Sequence, residues 1–496
     1  MSFTGKRHAP PKAGAMIEAL RGLGYTTASA LADIIDNSIA ANASQVDINF
    51  VWDQEKSRIE IIDNGNGMNA LELDKAMRLG ELNPLDQRDE SDLGRFGMGL
   101  KTASFSQCRE LTVATKKKEE LNCLRWDLDV LAKSTGDGWY LLEGPSENNH
   151  DLVHSILDAQ KGTLVLWEKL DRIITDRFSA DDFLDLIDQV EFHLAMVFHR
   201  YLEDRSNCFD LYINKKKLKP WDPFLKGHPA KAWHSPKATR TSSGSSISVE
   251  CHVLPHKDKL TNKEFESAGG SDGWTAQQGF YVYRNKRLLL AGSWLGLGKG
   301  RAWTKEESHR LARIKLDIPN TADSEWKIDI RKATARPPVV MRKWLMRLAE
   351  DTRARARRTF ASRGKPARTS KGEPVVQAWK ADQTSGGVRY RIDETHPAIR
   401  NVLDDAGSML PQVKVMLRIL EETIPVQRIW LDTAENKETP RTHFEGEASD
   451  EVISVLKVMF ENLVTKKGFS PKAAVDKLLL TEPFQDYPQL VSSLAE

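Results

Sequence analysis

Three polar segments within the first 101 residues limit the folds open to this chain more than any other feature: Asp33-x-x-x-Asn37, Asp63-Asn64-Gly65-Asn66-Gly67 and Gly94-Arg95-Phe96-Gly97-Met98-Gly99-Leu100-Lys101. The first lies where Leu31, Ile34, Ile35 and Ile39 recur at helical spacing, so Asp33 and Asn37 share another side of the same helix. Beyond it, Val46, Ile48 and Phe50 alternate, and Arg58 to Ile62 forms a second short apolar run. That pattern predicts two strands, with Asp63 at the end of the second. Lys101 to Ala114 resumes helix and then strand, Gly162 to Leu166 predicts another strand, and residues 177–203 carry a helical apolar pattern. Interleaved in this way, the elements predict an α/β layer closing near Ser206.

Each segment has a chemical reading and a plain one. A carboxylate and an amide one helical turn apart can both reach a metal-bound triphosphate, Asn37 as a magnesium ligand and Asp33 polarising a water. A solvated helix face would look the same. Asp63 can accept a hydrogen bond from an adenine amino group, and Gly65 and Gly67, followed by Met68, let the backbone pass close to a flat base. An ordinary Asp-Asn-Gly turn is the alternative. Gly94, Gly97 and Gly99 leave backbone N–H groups free to cradle phosphates where Leu100 and Lys101 begin a helix, Lys101 adding charge. A plain flexible loop is the alternative here, and GxxxxGK[ST] is absent.

In order and spacing, these segments resemble the GHKL superfamily of gyrase B, heat-shock protein 90, MutL and the MORC proteins, over roughly residues 15–200. The resemblance implies a Bergerat-fold two-layer α/β sandwich that binds ATP and Mg2+. It assigns magnesium to Asn37, adenine to Asp63 and phosphates to Gly97 and Gly99. Gly162-Thr163 is similar to a later family element whose threonine, here Thr163, supports the adenine contact. The family usually has glutamate where this chain has Asp33, the water-activating base. Aspartate is one methylene shorter, which implies either a helix closer to the γ-phosphate or slow hydrolysis, with Asp36 as an alternative base.

The region 207–345 resembles the ribosomal-S5-like α/β transducer domain of the same proteins, its segment Gln278 to Leu288 being MORC-like. Lys332, in Trp326-Lys327-Ile328-Asp329-Ile330-Arg331-Lys332, then matches a lysine that reaches the γ-phosphate; a surface lysine is the alternative. Strands are expected at Phe209 to Ile213, Ile247 to Val253, Gly279 to Tyr283 and Arg287 to Leu290, the last two joined by a turn at Arg284-Asn285-Lys286. Ala238 to Ser246, rich in Ser and Thr, reads as a mobile loop. The remaining divisions are a basic helix and linker at 346–387 and a small, mainly helical domain at 388–496.

Charge and cysteine usage exclude several functions. Lys plus Arg at 72 against Asp plus Glu at 70 leaves a net charge of +2, so any nucleic-acid surface must be local. Two basic clusters qualify, Lys215, Lys216, Lys217 and Lys219, and Arg353, Arg355, Arg357 and Arg358, either of which would hold DNA without sequence specificity. Cys108, Cys123, Cys208 and Cys251 stand apart with no CxxC pair, which points to neither zinc nor disulfides. No signal peptide and no long apolar run is present, so the expectation is a cytoplasmic protein without a membrane partner. Taken with the resemblance, the reading is an ATPase working as an ATP-dependent homodimer on DNA, in the manner of relatives found in phage defence and restriction. A protein partner through 388–496 is a further expectation. The rival readings are a chaperone of the heat-shock protein 90 type and a non-hydrolysing nucleotide switch.

Overall fold

The computed structural model describes residues 11–81, 98–133, 139–155, 161–204, 206, 208–230, 233–242, 245–323, 325–328, 335–361, 375–384, 387–429 and 450–495. The chain divides into two compact units, Met1–Gly364 and Lys365–Glu496.

In the first unit, helix α1 (Ala13–Arg21) leads to α2 (Thr27–Ala40). Thr26 starts α2 with a reciprocal cap: its side chain accepts from the Ser29 N–H while the Ser29 hydroxyl accepts from the Thr26 N–H. Leu31, Ile34 and Ile35 are buried, as their spacing predicts, and pack with Ile48, Ile59, Ile61, Val113 and Trp167 of the sheet beneath. That sheet contains β1 (Gln45–Val51), β2 (Arg58–Asp63), β3 (Glu110–Lys117), β4 (Glu120–Asp127), β5 (Leu142–Glu143), β6 (Gly162–Glu168), β7 (Asp210–Ile213) and β8 (Lys216–Lys217). Its order is β5-β4-β3-β6-β2-β1-β7-β8. Helices α3 (Ala70–Met77), α4 (Gly99–Phe105) and Ala180–Val197 contribute Leu73, Phe105, Val190 and Leu194 to the same core, giving the expected two-layer α/β sandwich.

One strand falls on the other side of the expected boundary near Ser206. Asp210–Ile213 pairs in parallel with β1, Val46 opposite Leu211, and so extends the first sheet instead of opening a second.

The second sheet holds β9 (Trp233–His234), β10 (Ala238–Ser242), β11 (Ser245–Val253), β12 (Gly279–Arg284), β13 (Arg287–Ser293) and β14 (Ala312–Ile318), ordered β10-β11-β14-β12-β13 with β9 on β11. The long helix Val339–Ala361 covers it, burying Met341, Leu345, Ala349 and Ala356 with Val249, Ile314 and Leu316. Here the described residues of the expected loop at Ala238 to Ser246 lie in strands instead, Thr239 opposite Ser248 and Thr241 opposite Ser246. An edge strand needs no apolar face, so its Ser/Thr composition concealed it, although β-branched threonine suits a strand. The expected β12–β13 turn is present: Asn285 and Lys286 both have positive φ, 48° and 68°, as a two-residue hairpin loop requires.

The unit Lys365–Glu496 pairs two strands, β15 (Trp379–Thr384) and β16 (Gly387–Ile392), and is otherwise helical among the described residues. Its core joins Leu456 and Leu463 to Ala474, Leu478, Phe484 and Val491. No helix among the described residues is long and apolar enough to cross a membrane. None of the four cysteines forms a disulfide.

Candidate functional site

Helix α2 lies at the centre of the site. Asp33 and Asp36 are 3% and 2% exposed, while Asn37, one residue further round, faces solvent. The Tyr25 hydroxyl donates to Asp33 Oδ2 at 2.9 Å. A Cβ added to Gly99 would lie 3.9 Å from the same oxygen, so Asp33 adjoins the start of α4, where Gly99 and Leu100 stand. Asp36, the expected substitute base, is engaged by the Arg287 guanidinium, whose Nε lies 3.2 Å from each of its oxygens.

Asp63 closes β2 one strand away from Thr163 of β6, directly opposite it in register. Its carboxylate is half-buried and accepts from Ser38 Oγ at 2.8 Å and from the Gly65 N–H at 2.9 Å. Burial pushes its pKa up, against the opposing pull of Ser38 and of the Gly65 and Thr163 backbone. A carboxylate offers about four acceptor positions, so these two bonds leave it room to accept from an incoming N–H beside the glycine-built wall.

The wall depends on two glycines. Gly67 has φ +65°, and a Cβ there would meet the Lys116 carbonyl oxygen at 1.9 Å; Gly162, at φ +148°, would meet that of Asp63 at 2.2 Å. Thr115, which no sequence signal singled out, ties the wall together. Its Oγ1 accepts from the Met68 N–H at 2.9 Å, donates to the Gly162 carbonyl at 3.1 Å and lies 3.0 Å from Thr163 Oγ1.

Asp33, Asn37, Asp63, Gly65, Gly67, Met68, Gly99, Leu100 and Thr163 therefore belong to three adjoining elements, the α2 helix, the β2–β6 strand ends and the α4 start. Lys101 does not join them. It is buried, donates to the Ala76 carbonyl at 2.8 Å, and burial pushes its pKa down to about 8. That hydrogen bond ties α4 to α3. Gly94, Gly97 and Lys332 lie outside the described residues. Asn37, exposed and one turn from a buried carboxylate, is of a residue type that suits a hard divalent cation.

The basic clusters are smaller than their composition suggests. Arg353 is buried, with Trp294 and Trp303 at 4.8 and 4.6 Å, and Arg355 lies 4.5 Å from Trp233 while pairing with Asp351 at 2.9 Å. Lys216 pairs with Glu191 at 2.9 Å and Lys217 with Asp210 at 2.6 Å. Arg357, Arg358, Lys215 and Lys219 are exposed.

Residues 25–163 match the family model described as histidine kinase-, DNA gyrase B-, and HSP90-like ATPase. The chain is similar to the ATPase morc-1 of Caenorhabditis elegans, 34% identical over 89 residues, which are 18% of this chain and 10% of that protein. It is similar to the DNA mismatch repair protein MutL of a Bradyrhizobium species, 29% identical over 129 residues, 26% of this chain and 21% of the relative. A third relative, the ATPase MORC2B of Mus musculus, is 28% identical over 101 residues, 19% of this chain and 10% of its own length. The matches thus span between a tenth and about a fifth of these relatives.

Proposed function

Residues 25–163 are an ATPase domain of the GHKL family, related to those of MORC proteins and MutL, and on that premise we propose that this chain binds magnesium and ATP, hydrolyses ATP slowly, and closes as a homodimer on DNA. The observation that carries the reading is the half-buried Asp63 carboxylate at the end of β2, linked through Ser38 to the helix that bears Asp33 and Asn37.

In this reading Asp63 accepts the adenine amino hydrogen, with Thr163 and Thr115 holding the strand ends that fix it. Asn37 presents its amide oxygen to magnesium, which when bound offsets phosphate charge. Asp33 accepts the proton of the attacking water. The backbone at Gly94, Gly97 and Gly99 cradles phosphates, and Lys332 reaches the terminal one. The short Asp33 side chain, buried beneath α4, makes the step slow.

Nucleotide closure predicts a change of oligomeric state. With magnesium and a non-hydrolysable ATP analogue, sedimentation velocity should show the monomer converting to a dimer; a monomer at saturating analogue would remove the gate from the account.

On DNA, the paired and stacked side chains narrow the contact to Arg357, Arg358, Lys215 and Lys219. Replacing Arg357 and Arg358 by alanine should weaken binding alike on unrelated sequences and lower the slope of log affinity against log salt by about 2. ATP affinity should not change. Wild-type protein with ATP and no DNA affinity at low salt would favour a protein partner. The exposed Val415, Met416, Ile419 and Leu420 of helix Leu410–Glu422 support such a partner for 388–496. A place in phage defence or restriction rests on the likeness to relatives of that kind.

A further inference from the structure

We propose that Arg287 is a positioning residue for the hydrolytic carboxylate, and that through it the second sheet sets the rate of ATP hydrolysis. The proposal rests on the reading of Asp33 as the base.

Arg287 stands 251 residues from Asp36 in the chain, immediately after the turn at Asn285 and Lys286 that opens β13. It is 4% exposed, and its guanidinium is spread over two neighbours on α2. Nε approaches both oxygens of Asp36 at 3.2 Å, and Nη2 lies 3.6 Å from Asp33 Oδ1. Nη1 donates to the Leu288 carbonyl at 2.6 Å, which ties the fork to its own strand. Asp33 is thus held from two sides, Tyr25 donating to Oδ2 and Arg287 facing Oδ1.

The strand that carries Arg287 is itself fixed to the first layer. Tyr283 Oη lies 2.8 Å from His199 Nε2, the Tyr201 hydroxyl donates to the Asn285 carbonyl, and Lys286 pairs with Asp204. The Phe198 ring lies 5.8 Å from the Arg287 guanidinium. A shift of the β12–β13 hairpin therefore moves a buried cation against the helix that bears the base. Water cannot replace that cation at such burial, and a carboxylate one methylene short has little freedom to find its alignment by itself.

The test uses the full chain and compares Arg287→Met, Arg287→Lys, Asp33→Asn and the Asp33→Asn/Arg287→Met double variant. Arg287→Met should lower kcat for phosphate release by at least about thirtyfold, with KM and the calorimetric affinity for ATP within about threefold of wild type. Arg287→Lys, which keeps charge but not the fork, should recover part of the rate. In the Asp33→Asn background, Arg287→Met should add little further loss, because both changes remove one function. Should Arg287→Met fail to fold, Asp36→Asn/Arg287→Met, which removes the stranded carboxylate as well, takes its place with the same expected kcat loss. A wild-type rate in the foldable variant, losses that multiply with Asp33→Asn, or a parallel fall in ATP affinity would each overturn the proposal. A wild-type protein that neither binds nor hydrolyses ATP would overturn the functional reading with it, whereas an active wild type matched by Arg287→Met would overturn this proposal alone.

Discussion

Asp63→Asn is expected to weaken ATP binding by about ten- to a hundredfold in a calorimetric titration. The native carboxylate already accepts from Ser38 and Gly65, and in the proposed reading a remaining acceptor position is offered to the adenine amino group. Asparagine replaces one oxygen by an NH2 group, which sets donor against donor at that position or at one of the internal partners. A hydrogen bond to a charged group contributes about 1.5–3 kcal/mol, and each 1.4 kcal/mol is about tenfold in affinity. The fold should survive, because the Ser38 hydroxyl can turn to accept from the new amide. Since burial raises the Asp63 pKa, wild-type affinity should also begin to fall at a higher pH on acidification than for an ordinary carboxylate. Unchanged affinity in Asp63→Asn would remove the adenine contact from the account.

The second large effect is on turnover. Asp33→Asn should lower the phosphate-release rate by about 10^2- to 10^4-fold, the usual range for a positioned general base, while ATP affinity stays near wild type. Asparagine keeps the shape and can still accept from the Tyr25 hydroxyl, 2.9 Å from Oδ2 in the native protein, but it cannot take a proton. A steady-state assay at saturating ATP checks this. Wild-type turnover in Asp33→Asn would show that another group activates the water. No turnover in the wild type, with binding intact, would favour the non-hydrolysing switch.

The sequence made the first layer legible because its signals are local. Thr26 caps, the apolar side of α2 repeats at helical spacing, and alternating residues mark β1, so the helix and strand that carry Asp33, Asn37 and Asp63 follow from neighbours within a few residues. The rest depends on contacts that no window spans. Thr115 meets Gly162 and Thr163 only when β3 and β6 pair, and Arg287 meets Asp36 only after a second sheet has folded against the first. β7 was assigned to the wrong region because a strand carries no label for the sheet it will join. Composition misled at Ala238 to Ser242, a polar strand, and at Arg353, whose spacing of four from Ala349 places it on the buried side of its helix. Lys101 follows a glycine-rich segment, yet its hydrogen bond to the Ala76 carbonyl forms only once α3 and α4 pack.

The central claim is that the end of β2 forms an adenine-specific nucleotide site. Calorimetric titration of the full-length wild type with ATP and with GTP, in the presence of magnesium, tests it directly. The account predicts saturable binding of one ATP per chain and at least about tenfold weaker binding of GTP, because guanine presents a carbonyl oxygen where adenine presents its amino group to Asp63. No saturable heat with ATP, or equal affinity for the two nucleotides, would contradict it.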